Sequence, residues 1–118
     1  MSSLASQLGG KAVAVNTAIP AAVDTVVLAI VDVQRFDRFS IYLVNNGAET
    51  IEQCKLETAP TTDGPWHTID QHIGVPNIAS GEAVFDSYAD KSLKYIRITA
   101  SSLLGSIANV YLSAGGLE

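Results

Sequence analysis

Apolar and polar residues alternate over short runs of this chain, with the two-residue period of strands that bury one face. The period is clearest in residues 107–114, where Ala108, Val110 and Leu112 form one face and polar residues the other. Other strand-like runs cover residues 11–16, 24–33, 36–46, 50–58, 66–70, 82–85 and 93–100. The pattern predicts about seven or eight short strands and no long helix, which is typical of an all-β sandwich.

Two of these runs carry more specific expectations. Residues 26–31 are apolar on both faces, so we expect one face of this strand to meet another subunit. In residues 50–58, strict alternation points Cys54 and Leu56 into the core and Ile51 to the opposite face.

Turn residues divide the strands. Residues 45–48 (Asn-Asn-Gly-Ala) predict a hairpin, because Asn and Gly tolerate the positive φ of tight turns. Residues 87–91 are typical of a loop. The first ten residues are rich in Ser, Ala, Gln and Gly, and predict a flexible arm in which Leu4 and Leu8 could dock on a neighbour. We therefore expect an arm over 1–10 and one antiparallel β-sandwich domain over 11–118.

Composition adds a question about the surface. Of 118 residues, 47% are hydrophobic and only 16% charged, whereas soluble domains carry roughly 25% charged residues. The mean hydropathy is +0.25. Either the core is unusually complete, or apolar surface is covered by a partner.

Charge and cysteine content exclude several classes of protein. The net charge is −5 and the few cations are scattered, so we expect no nucleic-acid binding. The longest apolar run is too short to span a bilayer, so we expect no membrane segment. The single cysteine allows no internal disulfide, and the first residues lack a signal-peptide pattern. Both observations predict synthesis in a reducing cytoplasm.

Reactive side chains form no recognisable catalytic motif. His67, Asp70 and His72 have the residue types of a metal site, but strand alternation sends the two histidines to opposite faces. We interpret them as exposed or hydrogen-bonded side chains, and Cys54 as a small buried hydrophobe. The sequence thus predicts no enzyme, no cofactor and no metal. A small hydrolase using His67 or Asp70 remains a distant alternative.

Four aromatic residues are candidates for binding. Tyr42, Tyr95 and Tyr111 occupy outward positions of their predicted strands, and Trp66 follows the turn at residues 61–65. Aromatic side chains are enriched at protein interfaces; they also stack on sugar rings. We favour a protein interface and keep sugar binding as the alternative.

Particular segments resemble small structural proteins of bacteriophages with a β-sandwich or jelly-roll fold. These are residues 54–58 (Cys-Lys-Leu-Glu-Thr), the turn and strand 63–69 (Asp-Gly-Pro-Trp-His-Thr-Ile), and the closing strands 93–100 and 107–112. The resemblance covers most of residues 24–114. It implies a virion protein, specifically a capsid decoration or cement protein made in the host cytoplasm.

Such a protein would lie on the capsid surface, commonly as a trimer, and stabilise the head by binding the major capsid protein. The resemblance carries over no catalytic residue. Its expected partner contacts are Leu4, Leu8, Tyr42, Trp66, Tyr95 and Tyr111. The alternative is a glycan- or host-binding module on a virion head or tail.

Overall fold

The computed structural model describes residues 11–89 and 93–115, which contain nine β-strands. The arm predicted over residues 1–10, with Leu4 and Leu8, lies outside the described residues. In chain order the strands are β1 Lys11–Ile19, β2 Ala22–Asp32, β3 Arg38–Asn45, β4 Ile51–Ala59, β5 His67–Asp70, β6 Asn77–Ile78, β7 Ala83–Ala89, β8 Tyr95–Ser102 and β9 Ser106–Gly115. Within this part of the chain, no helix is long and apolar enough to cross a membrane.

The strands form two antiparallel sheets that pack as a sandwich. One sheet has the order β1-β9-β3-β7, and the other has the order β2-β8-β4-β5, with β6 added beside β4. Successive long strands mostly switch sheets, which is the connectivity of a jelly roll. The predicted all-β, jelly-roll-like sandwich is confirmed. It has nine strands rather than seven or eight, because β6 is a two-residue strand without a hydrophobic period.

The core is made by the inward faces of both sheets. In β3, the side chains of Ile41 and Leu43 are completely buried, and they meet Ile96 and Ile98 of β8 in the same core cluster. β9 contributes every second residue from Ala108 to Ala114. These are the positions that alternation assigned to the core. A strand buries one apolar face because this burial offsets the conformational entropy that its residues lose on folding.

A β-bulge in β4 breaks that alternation. The register against β8 shifts between Glu52 and Lys55, and Gln53 has a φ of 51°. Ile51 and Cys54 are consequently both buried, although strict alternation placed them on opposite faces. The prediction for Ile51 was wrong because one extra residue on the bulged strand reverses the facing of everything beyond it. The inward position of Cys54 is confirmed.

The turn after β3 is not a hairpin. β3 and β4 belong to different sheets, so the turn joins the two layers of the sandwich. Asn45 is completely buried there. Its amide nitrogen donates to the carbonyls of Glu49 and Ile78, each at 2.8 Å, and its amide oxygen accepts from the Gly47 N–H and the Ser106 hydroxyl. The amide of Asn45, with two donors and an acceptor oxygen, thus links this turn to β6 and β9.

β7 extends into the segment that composition assigned to a loop. It continues through Ser87 to Ala89, and Tyr88 is buried against the ring of Phe39, with ring centroids 5.1 Å apart. The Tyr88 hydroxyl donates to Asp70 of the opposite sheet at 2.6 Å. The loop prediction was wrong for residues 87–89, because cross-strand pairing with β3 outweighs the weak strand propensity of Ser87. The rest of the predicted loop, residues 90 and 91, lies outside the described residues.

Candidate docking face

An aromatic row crosses the outer side of the β1-β9-β3-β7 sheet. The strand register places Phe85 of β7 beside Tyr42 of β3, Tyr42 beside Tyr111 of β9, and Tyr111 beside Ala14 of β1. All four residues are exposed. Side chains on one face of neighbouring strands touch directly, so the register alone assembles the row.

The rings of this row remain available to a partner. The centroids of Tyr42 and Tyr111 are 6.1 Å apart at an interplanar angle of 51°. Phe85 is 58% exposed, the largest exposed fraction of any aromatic side chain in the described residues. A phenyl ring this exposed has no polar group to compensate its contact with water, so it gains free energy when a partner covers it.

The other outward residues of this sheet are mostly small and, apart from Arg38, uncharged. We name the outward-facing residues of β1, β9, β3 and β7 the aromatic face. Arg38, at one end of β3, is the only charged residue at an outward position of these four strands. Besides the row, the aromatic face includes Ala12, Asn16, Ala18, Ser40, Val44, Ala83, Ser87, Ile107, Asn109 and Ser113. Such depletion of charge marks the core of an interface.

The outer side of the other sheet has the opposite character. Arg97 and Glu57 face each other across β8 and β4, with 2.6 Å between Arg97 Nε and Glu57 Oε1. The Arg97 guanidinium also lies 4.5 Å from the centroid of the Trp66 ring, a cation–π contact. Lys55 adds a further charge on this side. The chain therefore has one charged sheet surface and one uncharged surface.

The predicted contact residues fall into two groups. Tyr42 and Tyr111 lie side by side on the aromatic face. Tyr95 is half-buried in β8 on the other sheet, and Trp66 packs on Arg97 there. The exposed Val27 and Ile30 of the two-sided apolar strand also lie on that sheet, so they do not extend the aromatic face.

Phe85 was missed by sequence reasoning. Tyr88 is buried three residues later in the same strand, so alternation turns Phe85 to the outer side. Because residues 87–91 were assigned to a loop, Tyr88 was not used to assign the facing of this strand. An apolar residue alternating with Val84 in a strand that also contains Tyr88 would have indicated its outward position.

The candidate reactive residues have structural partners or are exposed. Asp70 accepts hydrogen bonds from the Tyr88 hydroxyl at 2.6 Å and from the backbone N–H of His72 at 3.1 Å. His67 and His72 are both exposed. Among the described residues, no three His, Cys, Asp or Glu side chains are close enough together to hold a metal ion. One oxygen of Asp70 thus joins the two sheets, and the other holds the turn that follows β5.

Cys54 lies in the core and is held as a thiol. Burial raises the pKa of Cys54 to about 12, with a smaller contribution from the negative charge of Asp70. Because the thiolate is the nucleophilic form, a thiol with this pKa is unreactive at neutral pH. The interpretation of Cys54 as a buried hydrophobe is confirmed by its 1% exposure.

Comparison with known proteins finds solved structures of the same fold but no match by sequence to a family model or a curated protein. PirA is similar at a TM-score of 0.59 and 13% identity, covering 86% of this chain and 93% of PirA. The SPBc2 prophage-derived protein YomS has a TM-score of 0.54 and 10% identity, covering 87% and 96%.

A further similar structure belongs to a larger protein. The PBSX exported protein XepA has a TM-score of 0.60 and 20% identity, over 94% of this chain but only 39% of XepA. At such identities these similarities establish the jelly-roll sandwich, and the function has to be argued from the surface of this chain.

Proposed function

We propose that this chain is a non-enzymatic structural protein of a phage-type particle, which self-associates through the aromatic face and decorates the capsid. The observation that carries the proposal is the contrast between the uncharged, aromatic outer side of one sheet and the charged outer side of the other. A monomer with no partner gains nothing from such an asymmetry, whereas an oligomer buries the uncharged side and keeps the charged side in water.

The size of the aromatic face fits a stable interface. Four strands at about 4.8 Å spacing and roughly nine residues at about 3.3 Å each give a sheet surface of about 20 by 30 Å. The accessible area of that surface approaches the ~800 Å² per partner of a standard interface. The net charge of −5 would oppose association through a charged surface, and the aromatic face avoids this repulsion.

A trimer bound to the major capsid protein is the specific assembly that we propose. Its support is the resemblance of residues 54–58, residues 63–69 and the closing strands to phage structural proteins, together with a fold shared with a prophage-derived protein. The same fold also occurs in an exported protein, so a location outside the cell or on a virion is compatible with it.

The proposal is tested by measuring mass and particle association together. Light scattering after size exclusion is expected to give a trimer whose mass does not change with concentration. Particles purified from the strain that carries the gene are expected to contain the chain in a fixed ratio to the major shell protein. A stable monomer that is missing from the particles would overturn the proposal.

A glycan-binding module is the second candidate, and a specific arrangement favours it. Ser40, Ser87 and Ser113 form a row of hydroxyl groups directly beside the aromatic row. Rings that stack on a sugar, next to hydroxyl groups that bind its oxygens, are the elements of a saccharide site. This candidate requires an uncovered aromatic face. A monomer that binds saturably to a glycan array, with binding lost in Tyr42→Ala, would establish it in place of the first.

A further inference from the structure

Two leucines occupy the tip of the turn between β8 and β9. Leu103 is 57% exposed and Leu104 is 70% exposed. The Gly105 N–H donates to the Ser102 carbonyl at 3.2 Å, so the leucines are the two central residues of a β-turn. Those positions normally carry Gly, Asn, Asp, Ser or Pro. In the isolated chain, two adjacent leucines at these positions leave apolar surface in contact with water. Their presence indicates that the turn contacts another molecule.

The turn is held in place from several directions. The Ser102 hydroxyl donates to the Thr50 carbonyl at 2.6 Å, and the Leu103 N–H donates to Glu52 Oε1 at 3.3 Å. Ala21, from the turn between β1 and β2, forms an isolated bridge with Ser102. A turn fixed in this way cannot fold its leucines back onto the sandwich, so the side chains stay presented to solvent.

Apolar and acidic residues surround the turn. Val23, which follows the partner of Ser102 in β2, is 69% exposed. We name Val23, Leu103 and Leu104 the leucine tip. A depression of about 360 Å³ beside the leucines is lined also by Glu49 and Glu52. Within the described part of the chain, neither carboxylate has a salt-bridge partner.

We propose that the leucine tip docks into an apolar pocket of a protein partner whose rim carries lysine or arginine side chains opposite Glu49 and Glu52. The inference rests on the proposed function, in that the partner is the particle shell. Exposed leucines provide the anchor that fills a pocket. Neither carboxylate is in a salt bridge with a described residue, so both favour cations at its rim, which set orientation and association rate more than affinity.

The carboxylates of Glu49 and Glu52 disfavour a membrane or a second copy of this chain as the partner of the leucine tip. Anionic lipid headgroups would repel Glu49 and Glu52, and insertion of the leucines into any bilayer would bring these carboxylates to the membrane surface. Two tips of this chain would bring like charges together. The leucines of the tip lie in the turn beyond Ile107, the last outward residue of β9, and about 20 Å of extended strand separates Leu104 from the aromatic row at Tyr111. Covering the aromatic row therefore leaves this turn accessible. The chain can therefore self-associate and dock at the same time.

The test compares two double variants in binding to particles assembled without this chain. Leu103→Ser with Leu104→Ser removes the anchor, and Val27→Ser with Ile30→Ser removes two exposed apolar side chains from the outer side of the other sheet as a matched control. Sedimentation is expected to show at least tenfold weaker binding for the leucine variant and unchanged binding for the control. Circular dichroism and native mass should be unchanged in both. Glu49→Lys is expected to weaken binding and to reduce its salt dependence.

Each result separates the inference from the function on which it rests. Equal binding by the wild type and the leucine variant would overturn the inference and leave the decoration function intact. No particle binding by the wild type would overturn both. Binding of the wild type to phosphatidylcholine vesicles that the leucine variant loses would assign the tip to lipid, and a lowered native mass of that variant would assign it to a second copy. Either of these outcomes overturns the proposed partner.

Discussion

Tyr42 and Tyr111 face each other across β3 and β9 on the solvent side of the sheet, with ring centroids 6.1 Å apart and both side chains nearly half exposed. A cross-strand aromatic pair of this kind stabilises a sheet by about 0.5–1 kcal/mol. Its outer ring surfaces contribute nothing to the monomer. Together with Phe85 they form an apolar surface that gains free energy when a partner covers it.

Phe85→Lys is expected to disrupt self-association without unfolding the chain. Phe85 lies at the exposed end of the aromatic row and outside the core cluster, so the change introduces a charge into the interface while the sandwich keeps its packing. Light scattering should show the mass falling toward that of the 12.4 kDa monomer.

The matched control for Phe85→Lys is Ile30→Lys. Ile30 is 46% exposed on the charged side of the sandwich, opposite Arg97. Its substitution should leave the oligomer intact. An unchanged oligomeric mass for Phe85→Lys would exclude the aromatic face as the interface, and dissociation caused by Ile30→Lys alone would place the interface on the other sheet.

Asn45→Ala is expected to destabilise the fold by about 2–4 kcal/mol. The substitution leaves the carbonyls of Glu49 and Ile78 and the hydroxyl of Ser106 without their Asn45 partner at a buried corner. Urea unfolding measures the change. Asn46→Ala provides the control, because the Asn46 side chain is exposed, and a comparable loss there would contradict the assignment of the effect to the buried amide.

Asn45 also shows where sequence reasoning reached its limit. Alternation correctly assigned the core faces of β3, β8 and β9, because burial of one face imposes a two-residue period. The same period gave no information on which sheet a strand joins, so a turn between layers was interpreted as a hairpin. The bulge at Gln53 was invisible for a similar reason, since it depends on pairing with β8 and not on the local residues.

The candidate site was half predictable. Tyr42 and Tyr111 were placed outward by their own strands, and the structure adds that the register brings them together. Phe85 depended on the extent of β7, which tertiary pairing decides. Leu103 and Leu104 lie between the predicted strands 93–100 and 107–114, where no alternation assigns a facing. There the turn is positioned by hydrogen bonds to Glu52 of β4 and to Thr50 just before it, which no local pattern encodes.

Arg97→Ala is expected to shift the fluorescence of the single tryptophan to longer wavelength. The Arg97 guanidinium covers the Trp66 ring at 4.5 Å, and its removal lets water reach the indole. The loss of the contact with Glu57 should also lower the free energy of unfolding by about 1–2 kcal/mol. Lys94→Ala, at an exposed neighbouring position, is the control for both measurements.

The same variant tests the predicted partner role of Trp66. If Trp66 only packs on Arg97, Arg97→Ala and Trp66→Ala should leave native mass and particle binding unchanged. Weaker particle binding by Trp66→Ala, with Arg97→Ala unaffected, would instead make the indole a direct contact.

Stability is expected to fall as the pH rises above about 9, in part because of Cys54. Burial raises the pKa of Cys54 from 9.0 to about 12 in the folded chain. The folded state therefore holds the thiol proton more tightly than the unfolded state. The stabilisation is fully present below pH 9 and is lost progressively between pH 9 and 12, with a slope of about 1.4 kcal/mol per pH unit.

Cys54→Val isolates this contribution, because valine is of similar size and has no titrating group. Urea unfolding at pH 8 and pH 10 should show a smaller loss of stability in the variant, by about 1 kcal/mol. Burial and the hydrogen bond to Asp70 also raise the pKa of Tyr88, but that effect acts above the ordinary tyrosine pKa of about 10 and is common to both proteins. Identical pH dependence in the wild type and Cys54→Val, or rapid alkylation of native Cys54 at pH 8, would show that the thiol reaches solvent.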